Sequence, residues 1–139
     1  MTNYIQSASI TYQAARNAIE VAIAEGAKIG VRAVVTVVDP GMTMVAFGKA
    51  DGATPHSVET SRRKATTAAS TKRATGWMSE TFALQLPLGT GGALTNILGG
   101  APLKFEGVHT GGLGVAGGTP DQDAEIAAAT LAAIGADAA

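Results

Sequence analysis

The stretch Gly107 to Ala129, GVHTGGLGVAGGTPDQDAEIAAA, constrains this chain most, because it joins a strand pattern to an explicit helix start. Val108 to Val115 has the apolar and small residues of a buried strand, with Gly111, Gly112 and Gly114 removing side chains from its surface. Glycine costs a strand packing and backbone entropy, so several together predict that a ligand or another backbone approaches closely. Thr119 is placed to cap a helix, Pro120 fits its first position, and Gln122 completes a capping box. Asp121 and Asp123 add negative charge at the positive end of the helix dipole. The last helix is therefore expected from Pro120 to about Ile134. Gly112, Gly114 and Gly117 formally satisfy GxGxxG, but a dinucleotide fingerprint needs its glycines at a strand-to-helix turn inside a parallel βαβ unit. Here two of the three lie within the strand.

The remaining chain alternates helical and extended patterns without a linker or a tandem repeat. Tyr12, Ala15, Ile19, Ala22 and Ile23 give one apolar helix face from about Ser9 to Ala27, with Gly26 and Gly30 as stop signals. Ala33 to Val38 is a β-branched run, Asp39–Pro40–Gly41 a turn, and Thr43 to Phe47 the returning strand of a hairpin. Thr54 and Pro55 signal a second helix running to about Thr75, with Val58, Ala65, Thr66, Ala68 and Ala69 as its buried stripe. Trp77 to Leu86 suits a short helix ending before Pro87, and Ala93 to Ile97 a short strand. Ala101 to Phe105 and Val108 to Val115 form a second hairpin, with Glu106 and Gly107 at its tip. Hairpins dominate over crossovers, so residues 1–139 are expected to fold as one α+β domain, an antiparallel sheet with helices packed on it.

Composition narrows the function. The net charge of −1 argues against a nucleic-acid partner, which normally requires a basic excess. The absence of cysteine removes disulfides, thiolate chemistry and the usual structural zinc sites. No secretory signal pattern opens the sequence, and no apolar run approaches the roughly 20 residues of a membrane span, so a cytoplasmic location is expected. Charged residues make up only 15% of the chain, below the roughly 25% of ordinary domains, which favours self-association.

Several segments, in order and spread over nearly the whole chain, resemble one family. They are VVDPG (Val37–Gly41), KADGA (Lys49–Ala53), RKATTAA (Arg63–Ala69), GGAP (Gly99–Pro102), GGLGVAGG (Gly111–Gly118) and QDAEIA (Gln122–Ala127). The chain resembles the GlcG/HbpS-like haem-binding or haem-degrading proteins, also seen as the C-terminal domain of PduO-type corrinoid adenosyltransferases. The resemblance implies a PAS-like or profilin-like fold and assembly into dimers and larger rings, up to octamers. It also implies a link to haem, to cobalamin metabolism, or to catabolism of small organic acids or diols. The chain departs from the usual GxxGAIGVSG pattern: Ala116 occupies a serine position, and His109 stands just upstream.

The histidines, His56 and His109, are the candidates for acid–base work or for ligating haem iron. His109 is favoured, because Thr110, Gly111 and Gly112 leave room beside it. Lys64 is expected to be partly buried, either paired with Asp39 or Asp51 or placed to receive an anion. A buried ammonium needs such a partner. Arg63 and Lys64 suit the carboxylates of haem propionates or of a small acid, and Asp51 with Gly52 forms a loop directly after a strand. Asp123 is expected mainly to complement its helix dipole. The leading expectation is a homo-oligomer binding haem or a related tetrapyrrole, with His109 or His56 as axial ligand. The alternative is a cofactor-independent enzyme acting on a small carboxylated substrate, with His109 or His56 as acid/base, Lys64 or Arg63 orienting the anion and Asp51 in support. A scaffold without its own chemistry is the third reading, and a buried His109 bonded only to backbone, with no adjoining cavity, would favour it.

Overall fold

Two antiparallel hairpins, β1 (Val34–Val38) with β2 (Met44–Lys49) and β3 (Gly100–Phe105) with β4 (Val108–Ala116), join through β1 and β4. The resulting sheet has the order β2-β1-β4-β3. Helices α1 (Tyr12–Lys28) and α4 (Pro120–Ala133) cover one face, and α2 (Ser57–Thr71) covers the other. A short helix, α3 (Glu80–Gly89), follows α2. The computed structural model describes residues 1–139, and the expected α+β architecture is present.

Strand β1 is buried along its whole length because both of its faces are covered. Val35 and Val37 join Leu113, Val115 and Leu103 in the main core, against Ala15, Ile19 and Ala22 of α1 and Ile126 and Leu131 of α4. The opposite face is built from small residues. Val38 meets Ala65 and Ala69 of α2, and the Thr36 and Ser61 hydroxyls bond at 2.8 Å. A Cβ on Gly114 would overlap the Ser61 carbonyl oxygen, and one on Gly112 the Ala65 carbonyl oxygen. The glycines therefore admit another backbone, that of α2, directly against the sheet.

Local signals largely hold. Thr119 and Gln122 form the capping box with Pro120 at the helix start, and Thr11 caps α1. The Asp39 carboxylate accepts from the Gly41 and Thr43 amides, closing the first hairpin. Glu106 and Gly107 both adopt positive φ at the tip of the second.

Other expectations need correction. Tyr12 and Val58, assigned to buried stripes, are exposed, although they share a face with buried Ile19 and Ala65, because each stands in the first turn of its helix. Gly26 does not stop α1 but sits inside it, where a side chain would crowd Val31 and Ala33. Helix α2 starts at Ser57 rather than at Thr54–Pro55, with His56 at the cap position. Pro87 lies inside α3, in its last turn. Residues 93–97 form no strand. There the Ala93 carbonyl accepts from Thr66 Oγ1 and the Thr95 amide donates to Thr67 Oγ1, so side chains of α2 take the bonds a neighbouring strand would have made.

Candidate functional site

Lys64 points out of α2 past the end of the sheet and reaches α4. Its Nζ donates to Asp123 Oδ2 at 2.8 Å and to the Val115 carbonyl at 2.8 Å. The side chains are 1% and 3% exposed, so the pair is sealed from water. Asp123 Oδ1 accepts from the Gly118 amide at 2.9 Å. The expected partner, Asp39 or Asp51, is thus replaced by Asp123, whose part exceeds the dipole role assigned to it. Burial pushes the Lys64 ammonium below its ordinary pKa, and Asp123 opposes that shift. Gly99 completes the enclosure, since a Cβ there would lie 3.0 Å from Nζ.

His109 lies on β4 opposite Lys104 of β3 and turns toward the C-terminal end of α2. Its Nε2 is 2.8 Å from the Ala69 carbonyl, an acceptor, so the proton of the neutral ring sits on Nε2. Nδ1 is buried without a partner. Burial lowers the His109 pKa most; the Ala69 carbonyl opposes this, and the charges of Lys72 and Lys104 lower it further. Thr110 is also occupied internally, with Oγ1 donating to the Leu103 carbonyl at 2.8 Å and its carbonyl accepting from Ile10. A side chain at Gly111 would overlap the Val38 carbonyl.

His56 stands at the other end of α2. It is exposed, and its side chain makes no capping bond. The rise of α2 between Ser57 and Ala69 separates the two histidines by about 18 Å. Asp51 and Gly52 lie in an exposed turn before α2, and Gly52 is packed against the Arg32 guanidinium. Arg32 is the one cation in a polar hollow of about 350 Å³ formed with Gly52–Thr54 and Gly117–Gly118. Arg63 lies elsewhere: its Nε donates to Glu59 Oε1 at 3.2 Å, and its guanidinium covers Gly92. Glu59 also pairs with Arg62, and that bond leads the causes that hold its carboxyl below the usual range.

The structure therefore does not bring His109, His56 and Lys64 to one cavity. It does gather three cations that stand outside the candidate set. Lys72 follows α2, Arg73 stacks its guanidinium 4.0 Å above the Trp77 ring, and Lys104 faces them from β3, all three lining one hollow of about 360 Å³. The Arg73–Trp77 spacing was a usable cation–π signal. Lys104 carried none until the hairpin register placed it.

Comparison with known proteins agrees with this architecture. ORFY of Klebsiella pneumoniae is 27% identical and superposes with a TM-score of 0.86, covering 96% of each chain. A double mutant of Streptomyces reticuli HbpS is 31% identical over 97% of this chain and 93% of that one, with a TM-score of 0.84. PduOC in complex with haem is 27% identical over 94% of this chain and 98% of that one, with a TM-score of 0.85. A search of curated protein sequences finds no match. Residues 10–132 match the family described as haem-degrading HbpS-like proteins, and the chain belongs to that family.

Proposed function

We propose that the protein binds haem or a related tetrapyrrole, with His56 as the axial ligand offered to the iron. The observation that carries this reading is the likeness, over almost the full chain, to a relative described as a haem complex. The residues present fit such a group. Haem takes a donor to its iron, for which an imidazole serves, and cations for its propionates. His56 presents an exposed imidazole free of capping bonds, next to the loop that lines the Arg32 hollow. His109 suits ligation less directly, because its Nε2 is committed to Ala69 and its Nδ1 is enclosed. When bound, haem would supply a redox-active iron; the chain's own part is to hold it through His56 and to meet a propionate with Arg32.

The reading as an enzyme on a small carboxylated substrate requires a histidine facing a cation in one cavity. Lys64 is enclosed with Asp123, Arg63 is engaged by Glu59, and Asp51 lies in an exposed turn, so no observation favours it.

Self-association belongs to the same proposal. Helix α3 buries none of its residues within the chain, although Leu84 and Leu88 are 72% and 84% exposed. Tyr4 and Ile5 stand equally free near the N-terminus. An isolated helix of ten residues is marginal in water without a packed face. A second copy of the chain provides that face.

Titration with haemin tests the ligand. A saturable Soret shift is expected, weakened about tenfold or more by His56→Ala and largely retained in His109→Ala. No Soret shift would overturn the binding, and a shift indifferent to His56→Ala would overturn the ligand assignment.

A further inference from the structure

The hollow beside Trp77 holds three cations that form no ion pair. Neither Lys72, Arg73 nor Lys104 lies within salt-bridge distance of a carboxylate. The acid that lines the same hollow, Asp137, is already occupied: its two oxygens accept from the Glu106 and Gly107 amides at 3.2 and 2.8 Å. The charges of Lys72 and Lys104 both reach His109, so they act on one small region rather than on separate surfaces. Arg73 is held in place by its stacking on Trp77.

This basic hollow opens onto a second space of different character. The two share Ala74, Ala138 and Ala139 in their linings. The second is a trough of about 490 Å³ between the edge of β3 and α4, and its other walls are almost wholly apolar, including Leu98, Ala128 and Leu131. Along α4 it runs from Ala124 to Ala132, about 12 Å at the helical rise. That suits an alkyl chain of roughly eight to ten carbons. Contiguous apolar and cationic spaces of this size match a ligand with an apolar body and one anionic end.

We propose that the trough and its basic mouth form a binding site for an anionic amphiphile, a medium-chain alkyl carboxylate. The carboxylate lies among Lys72, Arg73 and Lys104 at the edge of the Trp77 ring, and the chain lies along the alanines of α4. The absence of aromatic side chains from the trough suits a flexible, narrow chain rather than a flat ring system. The site uses neither His56 nor Arg32, so it stands independently of haem binding.

Trp77 is the sole tryptophan and lines the mouth, so its fluorescence reports occupancy directly. The protein is titrated with octanoate, 1-octanol and acetate. Octanoate is expected to change Trp77 emission saturably, 1-octanol to bind at least about tenfold more weakly, and acetate to give no saturable change. The double variant Lys72→Gln/Lys104→Gln is expected to weaken octanoate about tenfold, whereas Lys28→Gln, at an exposed position at the end of α1, leaves it unchanged. Ala128 is exposed, so Ala128→Phe fills the trough without disturbing the core and should abolish octanoate binding. His56→Ala should bind octanoate normally, which separates this site from the haem reading. Unchanged Trp77 emission with octanoate, equal binding of 1-octanol, or full octanoate affinity in either the double variant or Ala128→Phe would overturn the proposal.

Discussion

Lys64 and Asp123 join the two layers of the molecule. Lys64 belongs to α2 on one face of the sheet, Asp123 to α4 on the other, and their 2.8 Å bond passes the end of β4 at Val115. Each charge has further bonding, Lys64 to the Val115 carbonyl and Asp123 to the Gly118 amide. Removing one partner leaves the other charge enclosed and uncompensated. Lys64→Met is therefore expected to cost about 3–5 kcal/mol, whereas Lys64→Met with Asp123→Leu recovers most of that loss. Urea unfolding of the two single variants and the double variant measures the coupling. Additive losses would show that the pair is not coupled.

The close seat of α2 on β4 makes a second, steric prediction. Alanine at Gly114 places a methyl carbon onto the Ser61 carbonyl, and at Gly112 onto the Ala65 carbonyl, neither of which is a flexible side-chain end. The helix would have to lift, opening the Thr36–Ser61 bond as it does so. Gly114→Ala should cost upward of about 3 kcal/mol, at the severe end of single substitutions. Gly89→Ala, with open space around it, serves as the control and should be neutral or slightly stabilising. Thermal unfolding of both variants distinguishes a local steric demand from a general intolerance of alanine.

Elements defined by neighbours in the chain are largely legible, the Thr54–Pro55 helix start and the Gly26 stop being exceptions, and those defined by distant partners are not. The capping box at Thr119, the turn at Asp39 and the tip at Glu106–Gly107 are short-range chemistry, and each forms as its residues imply. The segment at 93–97 failed because Thr66 and Thr67, far away in sequence, supply its bonds. Lys64 was recognised as a lysine in need of a partner, yet that partner lies 59 residues away on the opposite side of the sheet. The glycines of β4 imply close approach of a ligand or a backbone, and only the fold identifies the backbone of α2 as what approaches. His109 drew attention through its small neighbours, and those neighbours serve α2 packing rather than leaving room beside the imidazole.

His109 makes stability depend on pH in a defined direction. Its folded pKa lies below the ordinary value of 6.5. Between that lowered value and 6.5, the unfolded chain binds more protons than the folded one, so stability falls as pH falls through this window. Protonation would also place a cation near Lys72 and Lys104 while Nδ1 has no acceptor to serve. His109→Gln removes the titration and can still donate to Ala69. The wild type should lose stability relative to His109→Gln as pH is lowered through 6.5, and the difference should level off below the folded pKa. Unfolding midpoints at several pH values check this, and parallel curves for the two proteins would contradict it.

Helix α3 supplies the last prediction. Leu84 and Leu88 are four residues apart and therefore share one face, and Phe82 adds a partly exposed ring. Within one chain Leu84 and Leu88 are largely exposed, so their burial between copies would contribute about 25 cal/mol for each Å² removed. Leu84→Glu/Leu88→Glu places two carboxylates on that face, where association would have to strip their water or set them against their own copies. Neither leucine contributes to the buried core, so the fold should persist with unchanged circular dichroism. Sedimentation velocity should then show the wild type as an oligomer and the double variant shifted toward monomer. An oligomer of unchanged size in the variant would mean that another surface, such as that bearing Tyr4 and Ile5, joins the copies.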